Sequence, residues 1–221
     1  PNYFYYPGYN LVVNTGGNVH LGAVLNLSAY SNGDGNTSLP APGTVSMFIG
    51  GDLLVSGFGQ VLSMGIENTY ANGNGNGGPG GLQSYVVSGR VDLQAGSVLN
   101  AAGGHALNTM SYITQGGTGG SITLSGVNGV MMRGTVMSVG GNGRSGGTGG
   151  ALSVSSSASY VDYGGVLSSQ GGNGYGASYQ AGTGGAINLN GFGGLSLRGD
   201  VNAGAGSVGS SGIGGTISIT D

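Results

Sequence analysis

Apolar residues in this chain occur in short alternating runs. Ile122/Leu124, Leu152/Val154, Ile187/Leu189 and Ile217/Ile219 each alternate with Ser, Thr, Ala or Asn, the period-2 pattern of a strand with one buried face. No 3.6-residue periodicity survives more than a turn, and the density of glycine opposes helix at roughly 1 kcal/mol per residue. The runs come in threes. Ser121-Ile122-Thr123-Leu124-Ser125 is followed by Val130-Met131-Met132-Arg133-Gly134 and then Thr135-Val136-Met137-Ser138. Gly-Gly-Thr-Gly-Gly precedes this unit at Gly116 to Gly120 and closes it at Gly146 to Gly150.

The same unit recurs along the chain. Corner tetrapeptides at Gly117 to Gly120, Gly147 to Gly150, Gly182 to Gly185 and Gly212 to Gly215 lie 30, 35 and 30 residues apart. Such self-similarity marks a repeat architecture. Three short strands cannot close a core alone, but stacking at ~4.8 Å lets each pair with its copy above and below. The expectation is an all-β parallel β-helix (β-solenoid) of about six coils, three short strands each, roughly 30 Å long. Residues 11–221 form this single domain, with the variable glycine-rich loops along one edge. Glycine there supplies positive φ or close backbone approach. Val61, Val98, Val136, Val166 and Val201 are expected at one inward site, with Ser63, Asn100, Ser138, Ser168 and Ala203 forming a small-residue column two positions on. Matched columns pin the register, because a one-residue slip turns the apolar set outward.

Residues 1–10 read differently. Tyr3, Phe4, Tyr5, Tyr6 and Tyr9 sit among two prolines, which forbid helix and favour an extended arm. Such an arm either caps the first coil or docks on a neighbouring copy, as interface aromatics do. The opening residue is Pro1, not Met; this fits processing of a secreted precursor or a fragment of a longer chain.

Composition narrows the class. Gly is 55 of 221 residues without a three-residue period, which excludes collagen. The chain is 38% apolar and only 5% charged, unlike a disordered segment. A net charge of −3 with no lysine offers no basic footprint for nucleic acid or a membrane surface, and supplies little repulsion between copies. No apolar run reaches the ~18 residues of a membrane-spanning helix. There is no cysteine, hence no disulfide framework and no thiolate ligand.

The run Gly-Gly-Thr-Gly-Gly-Ser-Ile-Thr-Leu-Ser, followed by Val-Met-Met-Arg-Gly-Thr-Val and Gly-Gly-Asn-Gly, resembles the glycine-rich repeats of secreted bacterial β-helix adhesins of the filamentous-haemagglutinin type. The resemblance spans about Leu11 to Asp221 and is strongest from Gly116 onward. It implies a right-handed parallel β-helix at the exterior of a bacterial or archaeal cell, in adhesion or a surface matrix. The Asn-Pro-Asn motifs of that family's secretion domain are absent from this sequence.

Candidate chemistry is sparse. Arg198-Gly199-Asp200 is the tripeptide that integrins read, but Arg133-Gly134-Thr135 stands at the same repeat position, so Arg-Gly reads as a bend. Asn32-Gly33-Asp34-Gly35-Asn36 holds one carboxylate, too few for Ca²⁺, and reads as a turn. His20 and His105 lack the third ligand a zinc site needs and read as surface residues. Asp52 and Asp92 are the one pair of acids in neighbouring repeats that a glycosidase could use; both are expected to face outward. Thr118, Thr148 and Thr183 line up, but Ile213 breaks the column and no Thr-x-Thr rank occurs, which argues against ice binding. No catalytic, cofactor-binding or metal-binding residue is assigned, and the chain reads as a non-enzyme.

Two functions remain. The favoured one is a structural subunit of an extracellular filament or surface matrix that assembles head-to-tail with its own copies through open solenoid ends. Tyr3, Phe4, Tyr5, Tyr6, Tyr9, Ile217 and Ile219 are its candidate self-association residues. The alternative is a segment of a secreted adhesin that binds surface glycan or host protein through its glycine-rich loops.

Overall fold

A computed structural model of the chain describes residues 5–31, 40–68, 75–106, 114–175 and 178–221, with the backbone alone at 5–6 and 30–31. Three parallel sheets dominate them. A long-stranded sheet stacks Leu11–Thr15, Val45–Ile49, Leu82–Val87, Ser121–Gly126, Ala151–Ser156, Ala186–Gly191 and Thr216–Thr220. In each coil a short strand of the second sheet follows: Val19–Leu21, Leu53–Val55, Val91–Leu93, Val130–Met132, Val161–Tyr163 and Leu195–Leu197. The third sheet takes Val24–Asn26, Gln60–Leu62, Val98–Asn100, Thr135–Met137, Val166–Ser168 and Asp200–Asn202. Every one of these strands pairs with its counterparts in adjacent coils, so the chain is a β-solenoid, as its periodicity predicts. Six coils are complete, and Thr216–Thr220 is a seventh rung of the long-stranded sheet alone.

Alternation along each strand becomes columns in the core. Val45, Gln83, Ile122, Leu152, Ile187 and Ile217 stack in one, and Met47, Tyr85, Leu124, Val154, Leu189 and Ile219 in the next. Over the later coils their outward neighbours are small and uncharged, as in the column Thr123, Ser153, Asn188 and Ser218, whereas in the earlier coils Phe48 and Val86 stand outward and exposed. Tight turns separate the sheets. Gly96 and Gly129 adopt φ of 88° and 113° there, a region that side chains disfavour.

One expected column is corrected. The pairing places Leu25, Val61, Leu99, Val136, Leu167 and Val201 together. Val98 and Val166 instead stand one residue earlier, level with Gln60 and Thr135, and face outward. The small-residue column shifts likewise in those two coils, from Asn100 to Ala101 and from Ser168 to Ser169. In both places two adjacent apolar residues, Val-Leu, compete for the inward site. The leucine takes it in both, whereas in Val61-Leu62 of the same column the valine is inward, so register with the adjacent coils decides and not side-chain size.

Gln83 is a buried polar residue that alternation does not anticipate. Its amide donates to Ser63 Oγ and Asn100 O at 3.0 Å and to Val61 O at 3.2 Å, while its carbonyl accepts from the Tyr85 hydroxyl at 3.0 Å. Burial pushes the Tyr85 phenol pKa upward.

The described parts of the glycine-rich loops form paired arms. After the third sheet the chain runs outward, then returns to the next coil, and the two arms bond to each other. Gly117 N–H donates to Gly104 O (2.9 Å), Gly141 to Gly117 O (2.8 Å), Gly147 to Gly141 O (2.8 Å) and Gly172 to Gly147 O (2.8 Å). In the returning arm, Gly116 and Gly119 donate to the next coil, and Gly117 and Gly120 donate across to the outgoing arm. Thr118, between them, is exposed. The pattern repeats every three residues, the period of a three-fold extended helix such as polyproline II. Glycine is required here by contact with main chain. A Cβ on Gly117 would lie 1.9 Å from Gly78 O, and one on Gly104 1.7 Å from Ile66 O.

Two outcomes follow for thermal unfolding. Gly117→Ala forces apart two hydrogen-bonded arms and is expected to lower Tm by on the order of 10 °C, from ~3 kcal/mol or more of overpacking. Gly16→Ala, whose Cβ meets nothing within 4 Å, is expected to leave Tm within about 2 °C. Gln83→Ala leaves the Tyr85 hydroxyl unpaired beside a new cavity and should cost about 3 kcal/mol by denaturant titration. Loss of under ~1 kcal/mol, within the range of surface substitutions, would contradict the buried network.

Candidate functional site

Charge in this protein collects on one surface, the outer face of the second sheet. Three of the four arginines, Arg90, Arg133 and Arg198, lie there with Asp52, Asp92, Asp162 and His20. Register orders them into three columns. The first is Asn18, Asp52 and Arg90. The second is His20, Leu54, Asp92, Met131, Asp162 and Ser196. Gln94, Arg133, Gly164 and Arg198 belong to the third.

The upper half of this face is closed by its own charges. Arg133 and Arg198 flank Gly164, and both reach diagonally to Asp162, at 2.8 Å and 2.6 Å. The hydrogen bond from Arg198 holds the Asp162 carboxyl below the usual carboxylate range. The charges of both arginines and a Ser196 hydrogen bond help, and desolvation opposes. Sequence reading treated Arg133 and Arg198 as bend markers and missed that Asp162 joins them; the signal was present as one acid one coil from each arginine.

The lower half is open. Asn18 Oδ1 accepts from Asp52 N–H at 2.8 Å, and Asp52 Oδ1 accepts from Arg90 N–H at 2.7 Å. The Arg90 guanidinium stops 3.9 Å from Asp92, beyond hydrogen-bond reach. Asn18, His20, Asp52, Leu54, Arg90, Asp92 and Gln94 line a hollow of about 380 Å³. Asp92 is level with Leu54 and Met131, not with Asp52, so the two acids do not occupy equivalent rungs.

The other candidates fall elsewhere. Arg198-Gly199-Asp200 is tied into the stack: Arg198 binds Asp162, and Asp200 O accepts from the Tyr163 hydroxyl, whose pKa burial pushes up to about 12. Its register with Arg133-Gly134-Thr135 is as expected. His20 is exposed; His105 is only half-exposed, and its Nδ1 accepts from Asn142 N–H at 2.8 Å. His105 and Glu67 line a larger hollow of about 710 Å³ beside the outgoing glycine arm. Thr118, Thr148, Thr183 and Ile213 form one column. Asn32 to Asn36, Tyr3 and Phe4 lie outside the described residues. Among the described residues no group of three His, Cys, Asp or Glu side chains is placed to hold a metal ion.

At the start of the stack, Tyr5–Tyr6 pairs antiparallel with Tyr30–Ser31, Gly8 N–H already donates to Ala41 O, and Tyr9 is 76% exposed. At its other end Ile217 and Ile219 are 47% and 52% exposed, although the same columns are buried one rung below at Ile187 and Leu189.

Fold and surfaces together define the class: a parallel β-solenoid with a hydrogen-bonded glycine slab along one edge. No protein-family model, curated protein or solved structure matches the chain.

Linkage gives the Asp162 clamp a pH signature. A carboxyl depressed on folding stabilises fully above its unfolded value of ~4 and loses that contribution as pH falls through the lower folded value. Asp162→Asn is expected to cost under ~1 kcal/mol at neutral pH, since the partners are exposed and screened. The Tm gap to wild type should close in acid and narrow in high salt. A gap that persists in acid would refute the clamp.

Proposed function

We propose that this protein is a structural subunit of an extracellular filament or surface matrix that assembles head-to-tail. The observation that carries this reading is the half-exposure of Ile217 and Ile219 in columns that are buried at Ile187 and Leu189. Edge polarity adds support. Inward-facing residues of each long strand bond to the following coil and outward-facing ones to the preceding coil, as Leu11 does to Thr44 and Thr216 to Gly185. The main-chain groups of Ile217 and Ile219 therefore face one end, and those of Val12 and Asn14 the other. A second copy offers complementary edges, and such heterologous contacts propagate as open fibres.

In this reading the aromatic residues Tyr3, Phe4, Tyr5, Tyr6 and Tyr9 are candidate contacts with the second copy. The extracellular setting rests on the resemblance to secreted β-helix repeats. Glycan binding through the glycine-rich loops has less support, since the described glycine arms bond to one another and present few side chains.

Negative-stain microscopy and sedimentation over rising protein concentration provide the test. Wild type is expected to form fibres, and Ile217→Asp with Ile219→Asp to raise the concentration needed by at least about tenfold, since burying an unpaired charge costs several kcal/mol. Monodisperse single subunits at every concentration would sink the proposal.

A further inference from the structure

The open half of the charged face differs from the closed half in one respect. Asp162 is satisfied by two guanidinium groups at hydrogen-bond distance, whereas Asp92 has one arginine at 3.9 Å and shares a hollow with Asp52, Arg90, Asn18 and Gln94. The hollow's size, about 380 Å³, falls at the lower end of small-molecule sites. Main chain orients two of its polar side chains: Asn18 Oδ1 accepts from Asp52 N–H and Asp52 Oδ1 from Arg90 N–H.

The sign of the groups selects the ligand. An anion would meet the Asp52 and Asp92 carboxylates, and a cation would meet the Arg90 guanidinium. A neutral polyol satisfies both kinds of group, because each hydroxyl donates to a carboxylate and accepts from an amide or guanidinium. Half-buried Leu54 forms an apolar floor between His20 and Asp92 in the same column, suited to the C–H face of a pyranose ring. We propose that this hollow binds a neutral saccharide. Asp92 and Asp52 accept hydrogen bonds from vicinal ring hydroxyls, and Arg90, Gln94 and the Asn18 amide donate to hydroxyl or ring oxygens. The hollow borders the first coil, which supplies Asn18 and His20, while Asp52, Arg90, Asp92 and Gln94 lie one and two coils further in; none of these residues belongs to a glycine arm.

The test is saturation-transfer NMR and calorimetry on the full chain, with the methyl glycosides of glucose, galactose, mannose and N-acetylglucosamine as probes. At least one is expected to bind saturably in the millimolar range. Asp92→Asn and Gln94→Ala are expected to weaken it, Asp92→Asn by at least about tenfold, because a hydrogen bond to a charged acceptor is lost. Asp162→Asn, on the closed half of the same face, should leave affinity unchanged; circular dichroism and thermal melting establish that each variant is folded. The inference is overturned if no glycoside binds saturably, if folded Asp92→Asn and Gln94→Ala variants bind like wild type, or if acetate or guanidinium ion is retained more tightly than every glycoside.

Discussion

Main-chain hydrogen bonds running along the stack axis are the constraint on which this structure depends. Parallel strands fix the rise per coil at ~4.8 Å, so any residue lies directly over its counterpart in the coil below. The columns are accordingly mostly aliphatic, with Ile, Leu and Val over one another and Ser63, Ala101, Ser138 and Ser169 at the narrow corner, while Tyr85 and Tyr163 enter two of them as single large side chains. Where a larger polar group enters, as at Gln83, neighbouring carbonyls and a tyrosine hydroxyl satisfy it completely enough to keep it buried.

The glycine slab extends the same rule to a region without a hydrophobic core. Two layers of main chain touch, and in the returning arms two N–H groups of every three find a carbonyl, one along the stack and one across it. Ordering glycine costs roughly 0.5–1 kcal/mol more than ordering alanine, and each hydrogen bond contributes roughly 0.5–1.5 kcal/mol net. The slab is therefore stable only as an array, with the solenoid holding its arms in register. This explains how two Gly-Gly pairs can flank a single solvent-facing residue, Thr118 or Thr148, in an arm that keeps its register.

A repeating interior leaves individuality to the surface. The long-stranded sheet shows Ser, Thr, Ala and Asn outward over its later coils, while the second sheet gathers most of the described charge. Within that face, one carboxylate between two arginines closes the later coils, and an acid-rich, incompletely paired group leaves the earlier ones receptive.

The strands, their grouping in threes, the parallel stack and the outward position of His20 were legible from alternation and spacing alone, because a period-2 pattern repeated at near-constant intervals has few other ways to bury its apolar face. Three matters were decided only in the folded chain. Whether Val98 or Leu99 points inward depends on how two adjacent apolar residues meet the coils on either side. Whether glycine serves a turn or a contact depends on how near the opposing arm comes, and in the corner tetrapeptides contact prevails, with positive φ confined to other glycines such as Gly96 and Gly129. The meeting of Arg133, Asp162 and Arg198 depends on register between coils some 30 residues apart, where a displacement of one position would have turned the aspartate into the core.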